Sequence, residues 1–181
     1  TPMYHSIVLV KQVPDTANIT GNVMQDDGTV NRAKLPAIFN PEDRVALEMA
    51  LRIKDQFGGK ITVMTMGPPR ASDILRECLY MGADEGVLIS DRKFAGSDTW
   101  ATSYTLACAI DKLDGHDVIL CGKQASDGDT AQVGPGISTH LDIPQVTYVK
   151  KIAEIDGKLA KVERMTEEGY DVVETPLPCL F

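Results

Sequence analysis

The stretch DVILCGKQASDGDTAQVGP, residues 117–135, joins a continuous apolar run to a loop of small and polar residues. An uninterrupted apolar run of this length is typical of a strand buried on both faces of a parallel sheet. Similar runs occur at residues 6–10 (SIVLV), 61–66 (ITVMTM) and 86–90 (GVLIS). Together these runs predict a buried parallel sheet.

Three segments between the runs have the apolar spacing of a helix, at residues 41–57, 69–81 and 98–113. Asn40 and Pro41 suit the N-cap and first turn of the first helix, and Gly58 and Gly59 suit its end. Strands that alternate with helices in this way predict an α/β fold. Its core is a doubly wound parallel sheet with helices on both faces.

The pattern changes after residue 144. Apolar and polar side chains then alternate in three segments separated by turn-forming residues, at 145–155, 158–165 and 170–174. Such alternation predicts antiparallel strands with one solvated face. We expect one domain over residues 1–181, with a parallel core at 1–143 and an antiparallel β extension at 144–181. The apolar ending PLPCLF predicts the start of a further buried strand and a C-terminal portion that is missing here.

The chain is acidic, with a formal net charge of −8, 43% hydrophobic and 24% charged residues. This balance argues against nucleic acid or an anionic membrane surface as a partner, because both attract clustered Lys and Arg. No apolar run approaches the roughly 20 residues that span a bilayer. Lys11 follows the first apolar run, whereas the charges of a secretory leader precede it. We therefore expect a cytoplasmic protein.

The sequence offers little support for a metal site or a nucleophile. The four cysteines form no CxxC pair, which argues against zinc and dithiol sites. His5, His116 and His140 are far apart, and no nucleophile–base pair is recognisable. If the protein takes part in a reaction, a bound cofactor carries the chemistry.

The loop after residue 121 is the strongest candidate for ligand binding. It follows a predicted strand and opens a predicted helix, where backbone N–H groups and the helix dipole favour an anion. Gly128, Ala131 and Gly134 permit close approach of the backbone, and Thr130 and Gln132 supply side-chain hydrogen bonds. The glycine spacing matches neither the dinucleotide-binding fingerprint nor the Walker loop.

Asp127 and Asp129 leave the ligand of this loop open. Two carboxylates repel a phosphate, whereas Asp129 suits a helix N-cap and Asp127 a turn. Capping combined with ribose binding is favoured over a metal, since a calcium loop would need a third acidic ligand and a late Glu. The segment 11–36 lacks core periodicity and is either a lid over the ligand or a mobile loop.

A series of ordered motifs resembles the β subunit of electron transfer flavoproteins over essentially the whole chain. The motifs are VKQVPD at 10–15, NP at 40–41, ALE at 46–48, MGP at 66–68, MGAD at 81–84, GKQ at 122–124, VER at 162–164, EEG at 167–169 and Pro178. Asp171 stands where the family signature usually carries Glu or Gln, which is a mild departure.

The resemblance implies an adenine nucleotide alpha hydrolase-like fold that binds an adenine-containing cofactor. It also implies an α subunit partner that holds the shuttling FAD, and a C-terminal arm that this chain lacks. Carried over from the family, the cofactor-binding residues are Leu9, Asn40, Pro41, Glu42, Asp43, Met66, Gln124, Ala125, Ser126, Asp127, Gly128, Asp129, Thr130, Ala131, Gln132, Val133 and Gly134.

Two cofactors remain open under this resemblance. Ordinary members hold structural AMP, whereas electron-bifurcating members hold a second FAD, which takes a hydride from NADH and divides its electrons between two paths. The segment 127–135 resembles the bifurcating type, so FAD is favoured. NADH oxidation is then expected only within a complex.

The implied partners are acyl-CoA or another flavin dehydrogenase, with ferredoxin or flavodoxin for a bifurcating member. A nucleotide-binding stress-response module of similar fold is a further alternative, although such modules lack the antiparallel extension.

A bulky side chain at Gly128 tests the predicted loop. If the backbone approaches a pyrophosphate there, Gly128→Val blocks the site by steric overlap and leaves the fold intact, because a loop position contributes little to the core. We expect loss of bound nucleotide, measured in the purified protein, with an unchanged circular dichroism spectrum. Full nucleotide content in this variant would place the ligand elsewhere.

Overall fold

The computed structural model describes residues 4–14, 26, 37–90, 99–113, 115–122 and 133–181. The elements are β1 (Tyr4–Leu9), β2 (Gln12–Pro14), β3 (Ala37–Phe39), α1 (Pro41–Phe57), β4 (Gly59–Met66), α2 (Ser72–Met81), β5 (Glu85–Ile89), α3 (Thr99–Asp111), β6 (Val118–Cys121), α4 (Val133–Leu141), β7 (Val149–Asp156), β8 (Leu159–Thr166), β9 (Gly169–Pro176) and β10 (Cys179–Leu180).

The centre of the molecule is a five-stranded sheet in the order β10-β6-β1-β4-β5, in which all pairs are parallel. Its continuous apolar strands contribute side chains to two separate cores. Val8 and Val63 pack with α1 and α2 on one face, while Ile7 and Met64 pack with α3 and α4 on the other. The predicted doubly wound parallel sheet is confirmed.

Helix α1 has the predicted bounds. Pro41 stands in its first turn together with the acidic residues Glu42 and Asp43, and the helix ends at Gly58, whose φ of 77° suits glycine. Helix α2 begins at Ser72 and not at residue 69, because residues 69–71 form a single 3-10 turn ahead of it.

The antiparallel extension is confirmed as a three-stranded sheet in the order β7-β8-β9. Ile152, Ala160 and Val162 on its inner face are buried, and the face that carries Met165 and Tyr170 is exposed. The predicted further strand is also confirmed: β10 returns to the parallel sheet beside β6. The last residues of segment 144–181 therefore belong to the parallel core.

Strands β2 and β3 lie at the two ends of the segment that follows β1, and they pair as a two-stranded antiparallel ribbon. Val13 and Phe39 in this ribbon are buried, so the segment contributes more to the core than its sequence indicates. Most of segment 11–36, which the sequence predicts to be a lid or a mobile loop, lies outside the described residues. In the described part of the chain, no helix is long and apolar enough to cross a membrane.

Candidate functional site

The carboxyl end of the parallel sheet contains the point where the strand order reverses. The chain passes from β1 to β4 and β5 on one side and returns to β6 on the other side of β1. Open α/β sheets bind ligands in the crevice at such a point. Leu9 at the end of β1 lies opposite Cys121 at the end of β6, so the residues just beyond this pair border the crevice.

Asn40 connects the start of α1 to the end of β1. It is 1% exposed, and its N–H donates to the Lys11 carbonyl at 3.0 Å. Its carbonyl accepts the N–H groups of Asp43 and Arg44 at 3.1 and 3.2 Å. Its side-chain Nδ2 donates to Asp43 Oδ2 at 3.2 Å.

This arrangement corrects the predicted cap of α1. Asn40 does occupy the N-cap position, but its side chain makes no capping hydrogen bond. Two N–H groups of the first turn already donate to the Asn40 carbonyl, and the amide nitrogen is directed to a carboxylate. The side chain of Asn40 therefore contributes through Asp43 and not as a cap.

Asp43 accepts hydrogen bonds from three separate segments. Its carboxylate receives the Asn40 side chain through Oδ2, the Gly122 N–H through Oδ1 at 3.2 Å, and the backbone N–H of Lys11. Asp43 is only 6% exposed. One buried carboxylate thus joins the chain beyond β1, the start of α1 and the chain beyond β6.

Burial and hydrogen bonding oppose each other at this carboxylate. Burial is the largest effect and raises the pKa of Asp43 from 3.8 to about 7, although the bonds from Asn40, Gly122 and Lys11 act to lower it. The group is therefore poised between its charged and neutral forms near neutral pH. Burial, assisted by the charge of Asp43, also raises the pKa of the Cys121 thiol to about 12, which makes it a poor nucleophile.

Gly122 has no room for a side chain. A Cβ would lie 2.5 Å from Asp43 Oδ1, 2.9 Å from the Glu42 carbonyl carbon and 3.0 Å from the Asp43 nitrogen. Two of these atoms belong to the backbone of α1 and cannot rotate aside. The close approach of β6 to the start of α1 therefore requires glycine.

The start of α4 lies against the same edge of the sheet. A Cβ on Gly134 would lie 3.0 Å from Cys121 Sγ, so the first turn of α4 packs directly on the end of β6. The N–H groups at the start of a helix favour an anion. The described part of the chain holds no group of three His, Cys, Asp or Glu side chains suited to a metal.

The described members of the predicted site lie along one edge of the sheet, but they differ in exposure. Pro41 and Glu42 are exposed, Met66 and Val133 are half-buried, and the others are buried: Leu9, Asn40, Asp43 and Gly134. Residues 124–132, the remainder of the predicted set, lie outside the described residues. Contact between these residues and a cofactor stays a prediction.

Two contributors to this edge are not among the cofactor-binding residues that the family resemblance implies. Gly122 opens the predicted ligand loop, but its packing against α1 was not predicted, and Lys11 acts through its backbone, which no side-chain pattern reveals. A glycine that directly follows a buried strand is the one signal that pointed to Gly122.

Comparison with known proteins identifies the class of protein to which this fold belongs. The family described as "Electron transfer flavoprotein domain" matches residues 27–181. Because this match covers most of the chain, the protein belongs to the electron transfer flavoprotein family.

The chain is also similar to individual named proteins over nearly its whole length. The chain is 52% identical over 175 residues to "Electron transfer flavoprotein subunit beta" of Clostridium acetobutylicum, covering 97% of this chain and 66% of that protein. It is 54% identical over 176 residues to "Acryloyl-CoA reductase electron transfer subunit gamma" of Anaerotignum propionicum, covering 96% and 65%. It is also 54% identical over 176 residues to "Caffeyl-CoA reductase-Etf complex subunit CarD" of Acetobacterium woodii, covering 97% and 66%. The chain thus spans just under two thirds of these relatives.

A methyl group at position 122 tests the close approach between β6 and α1. Gly122→Ala should destabilise the protein by about 1–3 kcal/mol, the usual cost of overpacking, because the neighbouring atoms are backbone. Chemical denaturation measures this loss. The control is Gly86→Ala, whose Cβ would lie 3.4 Å from Leu75 Cβ, an ordinary contact. Equal stability of the two variants would contradict the packing described for Gly122.

The raised pKa of Asp43 predicts a pH dependence of stability. The folded state holds its proton up to about pH 7, whereas the unfolded chain releases it near 3.8. The stabilisation from this group is therefore complete below 3.8 and is lost as the pH rises through about 7. The loss should reach roughly 4 kcal/mol. The measurement is the free energy of unfolding of the wild type minus that of Asp43→Asn across this range, and a flat difference would refute the prediction.

Proposed function

We propose that this chain forms the nucleotide-binding part of an electron transfer flavoprotein β subunit, with FAD as the adenine-containing cofactor. The observation that carries the proposal is the crevice between β1 and β6. There the start of α1 and the start of α4 both meet the carboxyl edge of the sheet in a member of this family.

The two helix starts suggest where the parts of the cofactor bind. The first turn of α1 carries Glu42 and Asp43, whose charges repel phosphate. The first turn of α4 contains no acidic residue. We therefore assign the pyrophosphate to the α4 side, and the adenine and ribose to the α1 side near Pro41 and Glu42.

The ends of the strands and the start of α4 suit different parts of an adenine nucleotide. Leu9 and Met66 provide an apolar border at the ends of β1 and β4. An adenine ring needs such an apolar contact, and the N–H groups at the start of α4 suit phosphate oxygens. The residues present thus fit an adenine nucleotide.

The choice of FAD over AMP, and of bifurcation over simple electron transfer, draws on the loop sequence and on the relatives. One relative at 54% identity is named as an electron transfer subunit of acryloyl-CoA reductase, and another as a subunit of a caffeyl-CoA reductase-Etf complex. By analogy we propose an α subunit, a flavin dehydrogenase and ferredoxin or flavodoxin as partners, and NADH as electron donor. When bound, the flavin supplies the hydride and electron chemistry, and this chain binds and orients it.

The composition of the purified complex tests the proposal. We expect the full-length protein with its α subunit to contain two flavins per heterodimer, measured by the absorption spectrum after release from the protein. We further expect NADH oxidation that depends on a low-potential acceptor. One flavin together with AMP, and no reaction with NADH, would reject the bifurcating assignment in favour of structural AMP. A complex without any adenine nucleotide would reject the cofactor proposal altogether.

A further inference from the structure

The carboxylate of Asp43 is occupied by protein donors. Oδ2 accepts the Asn40 side chain, Oδ1 accepts the Gly122 N–H, and the Lys11 N–H is a third donor. Asp43 is 6% exposed, in contrast to the exposed Pro41 and Glu42 beside it. A carboxylate so enclosed has little surface left for a ligand.

The three donors belong to the segments that border the crevice. Lys11 follows β1, Asn40 precedes α1, and Gly122 follows β6. Bonds to one side chain therefore link these segments, in addition to the backbone bond from the Asn40 N–H to the Lys11 carbonyl. The contact at Gly122 leaves no free space between these segments, because a Cβ on this residue would lie 3.0 Å from the Asp43 nitrogen.

We infer that Asp43 is a positioning residue that holds the crevice between β1 and β6 at the width the nucleotide requires, and that it does so best in its charged form. This inference rests on the proposed nucleotide-binding function and names a means of regulating it. All three donors favour the carboxylate, and a proton on Asp43 would displace at least one of them. Release of the nucleotide should therefore accelerate as the pH falls.

The groups around Asp43 do not obscure this dependence. Glu42 lies on the same helix, Cys78 faces Asp43 from α2 and Cys121 from the end of β6. Burial raises the pKa of both thiols to about 12, so they stay neutral over the range in question. The nearby cation Arg44 is paired with Glu77 at 2.7 Å, and the side chain of Lys11 is exposed.

The direction of the pH effect separates positioning from direct contact. If Asp43 instead faced a phosphate, protonation would relieve a like-charge repulsion, and the nucleotide would be held more tightly at lower pH. A positioning role predicts the opposite slope. A phosphate monoester itself titrates near pH 6, so the slope is taken relative to Asp43→Asn, which binds the same nucleotide.

The experiment uses the full-length protein in complex with its partner subunit. Release of bound adenine nucleotide is followed by ultrafiltration and ultraviolet absorbance at pH values above and below the pKa of Asp43, which burial raises to about 7. We expect the wild type to release nucleotide about tenfold faster on the acidic side, the equivalent of one lost hydrogen bond to a charged group. In Asp43→Asn, release should be fast at both pH values, and any pH dependence that remains is the baseline set by the nucleotide itself. The exposed control Asp55→Asn, on the same helix, should match the wild type.

A second measurement does not depend on the nucleotide. Hydrogen exchange at the Gly122 amide should be about tenfold faster in Asp43→Ala than in Asp55→Asn, because its acceptor has been removed. The double variant Asn40→Asp with Asp43→Asn reverses the donor and acceptor of that pair and should restore part of the protection and of the nucleotide retention. Slower release at acidic pH, or unchanged exchange at Gly122, would overturn the inference. Absence of nucleotide with the expected change in exchange would instead refute only the proposed cofactor.

Discussion

The buried carboxylate of Asp43 is the contact on which the arrangement of the crevice depends. It joins Lys11, Asn40 and Gly122, which are distant in sequence and belong to three different segments. Burial of a carboxylate is unfavourable, and hydrogen bonds from N–H donors offset that cost only when the donors are correctly placed. The interaction therefore stabilises one geometry of the sheet edge and penalises others.

The parallel sheet provides the frame in which this contact forms. Strands β1 and β6 are buried on both faces, so their register and their carboxyl ends are set by packing against helices on each side. Strand β10 adds to β6 from the far end of the chain, with Phe181 N–H donating to the Ile119 carbonyl at 2.7 Å. The edge that carries the candidate site is thus supported by residues from both ends of the chain.

The distribution of charge gives the two sides of the crevice different chemical characters. The acidic first turn of α1 is favourable for the helix dipole but unfavourable for phosphate, whereas the first turn of α4, from Val133 onward, contains no acidic residue. Under the proposed function, these two sides match the uncharged half and the anionic part of an adenine nucleotide. The same proposal connects the crevice with electron transfer, because the chain belongs to the electron transfer flavoprotein family.

The sequence by itself determined the parallel strands, the bounds of α1, the antiparallel extension and the return of a last strand. Each of these features follows from the local period of apolar residues and from Pro and Gly at helix ends. Local pattern did not reveal that Asn40 bonds to Asp43 in place of capping α1, or that Gly122 admits no Cβ. Only the tertiary structure decided these points. The pKa of Asp43 and the width of the crevice depend on atoms from positions 11, 40 and 122, which are distant in sequence. The periodicity of residues within one segment gives no information about contacts between distant segments.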